Sequence, residues 1–172
     1  KPVKSGRRER EGLARGNDEC CRHYKNGTLE IHEYVQFATE AIREHGQAAA
    51  EAAREGFMAE VIVPAIRPAA RELLQRHRDA GDRIVIVTAT NEFVTRPIAN
   101  ALGVDELIAI ELERGTGAAD WVTGRIVGTP SFREGKIVRV EQWLAAHDMD
   151  WNPVTQSACD SDSMNDHERL DR

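Results

Sequence analysis

The feature that most constrains the fold is a run of four β-branched residues, Ile-Val-Ile-Val, at residues 84–87. Gly81 and Asp82 precede the run, and a polar stretch follows it. A run without polar alternation is typical of a strand that is buried on both faces, as in a parallel sheet covered by helices. The sequence therefore predicts an α/β core built around this strand.

The residues after this strand predict a second helix-strand unit. A helix is expected to end near Leu102, because Gly103 follows it, and a strand is expected over residues 107–112. Pro97 fits better near a helix start than inside a helix, so Thr95 is the predicted N-cap. Further predicted elements are an extended or hairpin segment over residues 121–127, a helix over residues 134–147 and a weaker strand over residues 154–159.

The first half of the chain is predicted to be helical. Apolar residues recur on one helical face from Ile31 to Ile42, Thr28 is expected to cap this helix, and Gly46 is expected to end it. Residues 47–63 and 68–80 also have helical composition. We therefore divide the chain into a helical module, residues 1–75, and an α/β core, residues 76–172.

The composition of the chain indicates which partners and which cellular compartment are expected. The chain has 172 residues and a net charge of -6, which argues against a nucleic-acid-binding protein. Its apolar runs are too short to span a bilayer, so no membrane partner is expected. The three cysteines form no C-x-x-C pair, which argues against a structural zinc site and fits a reducing, cytoplasmic location.

Polar residues follow the predicted strand at residues 84–87. Thr88 supplies a hydroxyl where that strand should end, and the backbone N–H groups of residues 89–91 follow it. Both kinds of group suit a phosphate oxygen, because they donate hydrogen bonds at the carboxyl edge of the sheet. The alternative is a turn in which Thr or Asn caps the next helix.

A lysine is predicted close to the start of the last helix. Ser131 and Glu134 have the spacing of a capping box, which places Lys136 within the first two helical turns. A cation there opposes the helix dipole, and an anion bound at that helix end would reverse the sign of the effect. The alternative is an exposed lysine without a function.

Two carboxylates, Asp162 and Asp166, follow the weaker predicted strand in the segment Ser-Asp-Ser-Met-Asn-Asp at residues 161–166. Carboxylates at a strand end suit a hard cation such as Mg²⁺. Most such pairs are solvated or cap a helix, which is the alternative here. An EF-hand is discounted, because its glycine and its terminal glutamate are missing.

Taken in order, these segments resemble the haloacid dehalogenase (HAD) superfamily, in the helical-cap subclass similar to phosphoserine phosphatase. Residues 87–91, 128–136 and 161–166 look like the second, third and fourth motifs of that family, and residues 24–29 and 57–60 look like its cap. The resemblance covers roughly residues 20–170. It implies a Rossmann-like parallel sheet with helices on both faces, plus an α-helical cap.

The resemblance also implies an activity and a set of site residues. Family members hydrolyse phosphate monoesters of small metabolites through a phospho-aspartate, with Mg²⁺ as cofactor. Thr88 and Lys136 would be the catalytic residues, Asp162 and Asp166 would hold the metal, and the phosphate would be bound by Thr88, Ala89, Asn91, Lys136 and Asn165. The cap would select the leaving group.

One family motif is not found in its expected place. The nucleophile and the acid-base group belong to an Asp-x-Asp motif after the first strand, and no such motif follows an apolar strand ahead of Thr88. We expect that segment just ahead of Lys1, in an incomplete phosphatase chain. The alternative is a truncated or degenerate module without catalytic activity. A receiver-type domain is disfavoured by the long helical first half and by the late position of residues 161–166.

Overall fold

The computed structural model describes residue 16 and residues 18–20, 22–24, 26–116 and 121–149. In chain order the elements are α1 (Ile31–His45), α2 (Gln47–Phe57), a π-helical turn (Met58–Ile62), α3 (Val63–Ala65), α4 (Pro68–Asp79), β1 (Val85–Asn91), α5 (Glu92–Leu102), β2 (Glu106–Ile110), β3 (Leu112–Arg114), β4 (Val122–Ile126) and α6 (Glu134–Ala146). The helical first half and the strands of the second half are thus confirmed for these residues. The predicted strand at residues 154–159 lies outside them.

The β-branched run forms β1, which pairs in parallel with β2 through the helical crossover α5. Val85 pairs with Glu106 and Val87 with Ile108. Helix α6 packs on this sheet, because Val140 and Leu144 bury Ile108. The parallel pair with its packed helices confirms the predicted Rossmann-like α/β class.

The predicted strand over residues 107–112 is wrong in one respect, because the structure divides it between two sheets. β2 ends at Ile110, and Leu112 begins β3, which pairs antiparallel with β4 in a hairpin. The hairpin is separate from the parallel sheet. Its strand β4 packs against α1. The core between them contains Ile31, Val35, Ile110, Leu112 and Val122. The segment over residues 121–127, predicted as extended or hairpin, forms the single strand β4 of this hairpin.

The predicted start of α5 is wrong. Helix α5 begins at Glu92, because the Oδ1 atom of Asn91 accepts a hydrogen bond from the backbone N of Val94 at 3.2 Å. Thr95 is not the N-cap; its hydroxyl donates to the carbonyl oxygen of Asn91 at 2.9 Å. Pro97 therefore lies inside the helix.

Two further helix-capping predictions are wrong. Helix α1 has Glu30 at its N-cap without a side-chain hydrogen bond, and the Thr28 hydroxyl lies 2.9 Å from Nδ1 of His23 instead. Helix α6 has Arg133 at its N-cap, again without a side-chain cap, so Ser131 and Glu134 form no capping box. Among the described residues, no helix combines the length and apolar composition that a bilayer crossing requires.

Candidate active site

The middle of β1 and the loop before α6 are joined by a partly buried hydrogen bond. The strand was expected to end just before Thr88, but β1 continues to Asn91, so Thr88 lies inside the strand. The Ser131 hydroxyl donates to the carbonyl oxygen of Thr88 at 2.6 Å, and Ser131 is 0% exposed. A buried hydroxyl that is fully engaged in this way resists displacement, because an unpaired polar group in the interior is costly. The bond thus holds together two of the three segments that the sequence predicts to form the site.

The hydroxyl of Thr88 can donate a hydrogen bond to a ligand. Its Oγ1 accepts from the backbone N of Thr90 at 3.1 Å, within the part of β1 where the pairing register shifts between Val87 and Asn91. A hydroxyl has two acceptor lone pairs and one hydrogen. Because Thr90 uses an acceptor position, the hydrogen of Thr88 remains available for an oxyanion. This geometry suits the predicted phosphate contact.

Asn91 has a structural function that the sequence analysis left as an alternative. Its side chain caps α5 through the hydrogen bond to Val94, and the residue is only 6% exposed. The capping interpretation is therefore confirmed for Asn91. Its contact with phosphate stays a prediction, as does that of Ala89, which is half-buried in β1 and carries only a methyl group.

Lys136 lies in the first turn of α6. Its backbone N donates to the carbonyl oxygen of Arg133 at 3.0 Å, and the side chain is half-buried. The N-terminal end of a helix has a positive potential, and a lysine adds a full charge to it. The helix end and the lysine ammonium are both positive, so together they favour a bound anion. The start of α6 therefore fits the predicted phosphate-neutralising function of Lys136.

Two residues that were not expected to be functional, Gly135 and Arg133, shape the loop before α6. Gly135 leaves no space for a side chain, because a Cβ there would lie 2.1 Å from the carbonyl oxygen of Pro130. Arg133 has a positive φ of 51°, and its guanidinium donates to the carbonyl oxygen of Gly27. A glycine at a predicted helix start is the feature of the sequence that could have identified Gly135.

Arg139 anchors the same loop from α6. Its guanidinium donates to the carbonyl oxygen of Thr129 at 3.2 Å and to Oε1 of Glu111 at 2.5 Å. The arginine side chain is only 15% exposed, so its charge needs this partner. The loop that precedes Lys136 is thus fixed to the sheet, to the helical module and to α6 itself.

The predicted metal ligands Asp162 and Asp166, together with Asn165, lie outside the described residues. Within the described ranges, no group of three or more His, Cys, Asp or Glu side chains could hold a metal ion. The candidate groups within the described residues, the Thr88 hydroxyl and the Lys136 ammonium, are a hydrogen-bond donor and a cation. Their chemistry fits an anion, and they are not ligands for Mg²⁺.

Known proteins resemble this chain over most of its length. The chain is 36% identical over 150 residues to a histidinol-phosphatase of Neisseria meningitidis serogroup C (strain 8013), a match that covers 87% of the chain and 67% of that protein. A shorter match, 33% identical over 82 residues, is to a copper-transporting P-type ATPase of Rhizobium leguminosarum bv. viciae. It covers 46% of the chain and 10% of the transporter.

A solved structure has the same fold. It is a protein of unknown function from Bordetella pertussis Tohama I, 42% identical, with a TM-score of 0.72 over 81% of this chain. The match spans only 61% of that protein's chain. The family profile for haloacid dehalogenase-like hydrolases matches residues 3–171. The chain therefore belongs to the haloacid dehalogenase-like hydrolase family.

Proposed function

We propose that this chain forms the phosphate-binding core of a phosphomonoester hydrolase that acts on a small phosphorylated metabolite. The observation that carries the proposal is the 2.6 Å hydrogen bond from Ser131 to Thr88. This bond ties the loop before α6, the helix whose first turn carries Lys136, to Thr88 in β1. It supports the proposal that both side chains act on one phosphoryl group. Membership of a hydrolase family and the similarity to a histidinol-phosphatase support the same activity.

Thr88 and Lys136 would act on the phosphoryl group. The Thr88 hydroxyl would donate to one non-bridging oxygen, and the Lys136 ammonium would neutralise charge on another. Both interactions strengthen as charge develops during transfer, so they stabilise the transition state more than the bound substrate. Asn165 is proposed to contact the phosphate or to orient Asp162.

The covalent steps would need two carboxylates of an Asp-x-Asp motif. One carboxylate attacks phosphorus and forms an acyl phosphate, while the second protonates the leaving alcohol. The second carboxylate then takes a proton from a water molecule, and the water oxygen attacks phosphorus. This step releases inorganic phosphate and regenerates the first carboxylate. This chain spans 67% of the Neisseria relative and 61% of the Bordetella protein, and we propose that the natural gene product contains the Asp-x-Asp motif.

We propose that Mg²⁺ is the cofactor, with Asp162 as a ligand and Asp166 as its support. When bound, Mg²⁺ supplies positive charge that lowers the repulsion between an anionic nucleophile and the phosphate. Family membership supports this cofactor. The proposed location is the cytoplasm, where Mg²⁺ and small phosphorylated metabolites are both present.

The helical module is proposed to be the cap that covers the site. The contact from Arg133 to Gly27 supports this arrangement, because it joins the loop before α6 to the turn before α1. The predicted boundary at residue 75 falls inside α4, which spans Pro68–Asp79. We therefore propose the loop between α4 and β1 as the boundary between cap and core.

The proposed substrates are histidinol phosphate, suggested by the Neisseria relative, and, second, a phosphoserine-like compound. The test is phosphate release by the natural gene product from histidinol phosphate, phosphoserine and p-nitrophenyl phosphate, with Mg²⁺ present. We expect turnover that Lys136→Ala lowers roughly 100-fold or more. Arg125→Ala is the control, because it removes one positive charge from an exposed position on β4.

Two results would overturn the proposal. The first is a natural gene product without an Asp-x-Asp motif, which would favour the non-catalytic alternative. The second is equal loss of turnover in the Lys136→Ala and Arg125→Ala variants. Hydrolysis of one compound in the panel with a clearly higher kcat/KM would identify the substrate class.

A further inference from the structure

Helix α5 contains a backbone carbonyl whose usual partner is missing. In an α-helix the carbonyl of Phe93 would accept a hydrogen bond from the backbone N of residue 97. Residue 97 is proline and has no N–H. The Phe93 carbonyl oxygen instead accepts from Nη1 of Arg54, on α2, at 3.4 Å. A residue of the helical module thus replaces an internal hydrogen bond of α5.

The same guanidinium also covers the Phe93 side chain. The Cζ atom of Arg54 lies 4.6 Å from the centroid of the Phe93 ring, within the range of a cation–π interaction. A planar guanidinium can stack on a ring and donate at its edge, which an ammonium cannot do in the same way. Arg54 therefore contacts both the backbone and the ring of one residue.

Phe93 is placed to transmit this contact to the site. It lies in the first turn of α5, two residues after the cap Asn91 and five after Thr88. Its ring packs edge-on against Trp121 with a centroid distance of 5.6 Å. The indole N–H of Trp121 donates to the carbonyl oxygen of Ile42 in α1 at 2.9 Å. Helices α1 and α2 thus both engage the Phe93–Trp121 pair.

We propose that Arg54 is a positioning residue, which holds the helical module against the first turn of α5 and so keeps Thr88 and Asn91 in place for phosphate. Pro97 is part of this arrangement, because it frees the carbonyl oxygen that Arg54 binds. The expected effect of Arg54 on catalysis rests on the proposed phosphatase function. The expected coupling between Arg54 and Pro97 in protein stability is independent of that function.

The first experiment is a double-mutant cycle on urea unfolding, with Arg54→Met and Pro97→Ala. Alanine at position 97 restores the N–H, so the Phe93 carbonyl no longer depends on Arg54. We expect Arg54→Met to raise the unfolding equilibrium constant roughly tenfold with Pro97 present and about threefold or less in the Pro97→Ala background. Equal effects in both backgrounds would overturn the inference, whether or not the protein is a phosphatase.

The matched control is Arg71→Met. Arg71, on α4, donates to the carbonyl oxygen of Ala101 at 3.2 Å, at the far end of the same helix. That carbonyl lacks a helical partner only because the helix ends there. Arg71→Met should therefore lower stability without any coupling to Pro97→Ala. Coupling of similar size for Arg71 would show that Pro97→Ala acts generally on α5, and would contradict the specific contact.

The second experiment measures the dissociation constant for inorganic phosphate, which needs no turnover, and KM for p-nitrophenyl phosphate. Arg54→Met should raise both about fivefold, a change equivalent to about 1 kcal/mol. Arg54→Lys should recover part of this loss, and Arg71→Met should leave both values unchanged. If Arg54→Met binds phosphate as the parent does, Arg54 is a structural residue only and the positioning function is refuted.

Discussion

The hydroxyl of Ser131 and the carbonyl oxygen of Thr88 form a partly buried hydrogen bond across 43 positions of the sequence. Replacing Ser131 by Ala would leave that carbonyl without this donor. We expect a loss of about 1–3 kcal/mol in the free energy of unfolding and a loss of phosphate affinity, because the start of α6 is released from β1. Urea unfolding and phosphate titration measure the two effects.

Thr39→Val is the control for Ser131→Ala. Thr39 is also fully buried, and its hydroxyl donates to the carbonyl oxygen of Val35 at 2.7 Å, within α1. The valine variant loses a buried hydroxyl whose acceptors lie within α1, and it should bind phosphate normally. A Ser131→Ala protein with unchanged phosphate affinity would contradict the assigned function of the Ser131–Thr88 bond.

Gly135→Ala should disrupt the site through a backbone collision. The added Cβ would lie 2.1 Å from the carbonyl oxygen of Pro130, so the loop or the start of α6 must move. Overpacking of this kind costs about 1–3 kcal/mol, and here it displaces Lys136 as well. We expect a lower midpoint of thermal unfolding and a phosphate affinity reduced with it.

Gly56→Ala is the control for Gly135→Ala, and it should raise the stability of the protein instead of lowering it. Gly56 lies inside α2, and no atom lies within 4 Å of the position of its Cβ. Alanine there should stabilise the protein by about 0.5–1 kcal/mol, because glycine is a poor helix former. If both alanine variants lose stability to the same extent, steric collision does not explain the requirement for Gly135.

Arg133 combines an unfavourable backbone conformation with a useful side chain. Its φ of 51° favours glycine, whereas its guanidinium binds the Gly27 carbonyl and lies 4.8 Å from the centroid of the Phe132 ring. Arg133→Ala loses the contacts and keeps the strain, whereas Arg133→Gly loses the contacts and removes the strain. We expect the glycine variant to be more stable than the alanine variant in urea unfolding, by about 1 kcal/mol. The reverse order would show that this backbone is not strained.

The elements that follow from local pattern were predicted well. The β-branched run at residues 84–87 predicted that β1 exists but not where it ends, which is at Asn91. Gly103 correctly predicted the end of α5. Both predictions depend on nearby residues. The start of α5 was predicted wrongly for a non-local reason. Pro97 is tolerated inside the helix where Arg54, 39 positions away from Phe93, supplies the missing donor. No local pattern reports such a contact.

The site was predictable to a similar extent. Thr88 was singled out because it was expected at a strand end, but it lies inside β1. Lys136 was expected near a helix start and lies in the first turn of α6. A hydrogen bond joins the two segments. Ser131 was assigned to a capping box from its spacing to Glu134, but its hydroxyl binds a strand that is remote in sequence. Arg139 was missed because its two acceptors belong to separate loops.

Stability should fall at acidic pH through Glu106. The hydrogen bond from the Trp143 indole at 3.0 Å, with the nearby positive charge of His147, lowers the pKa of the Glu106 carboxyl, although desolvation opposes the shift. A carboxyl with a lowered folded-state pKa stabilises the fold above its unfolded pKa of about 4.3. This stabilisation is lost as the pH falls through the folded pKa. Unfolding free energies measured between pH 6 and pH 3 should show the loss.

Glu106→Gln should remove this part of the pH dependence, because the amide does not titrate. Trp143→Phe keeps the ring and deletes the N–H, the largest cause of the lowered pKa. It should therefore weaken the pH dependence without abolishing it, since His147 Nε2 still lies 3.2 Å from the carboxylate. If the Glu106→Gln protein loses stability with acid as steeply as the parent, other carboxyl groups are responsible and the assignment to Glu106 is wrong.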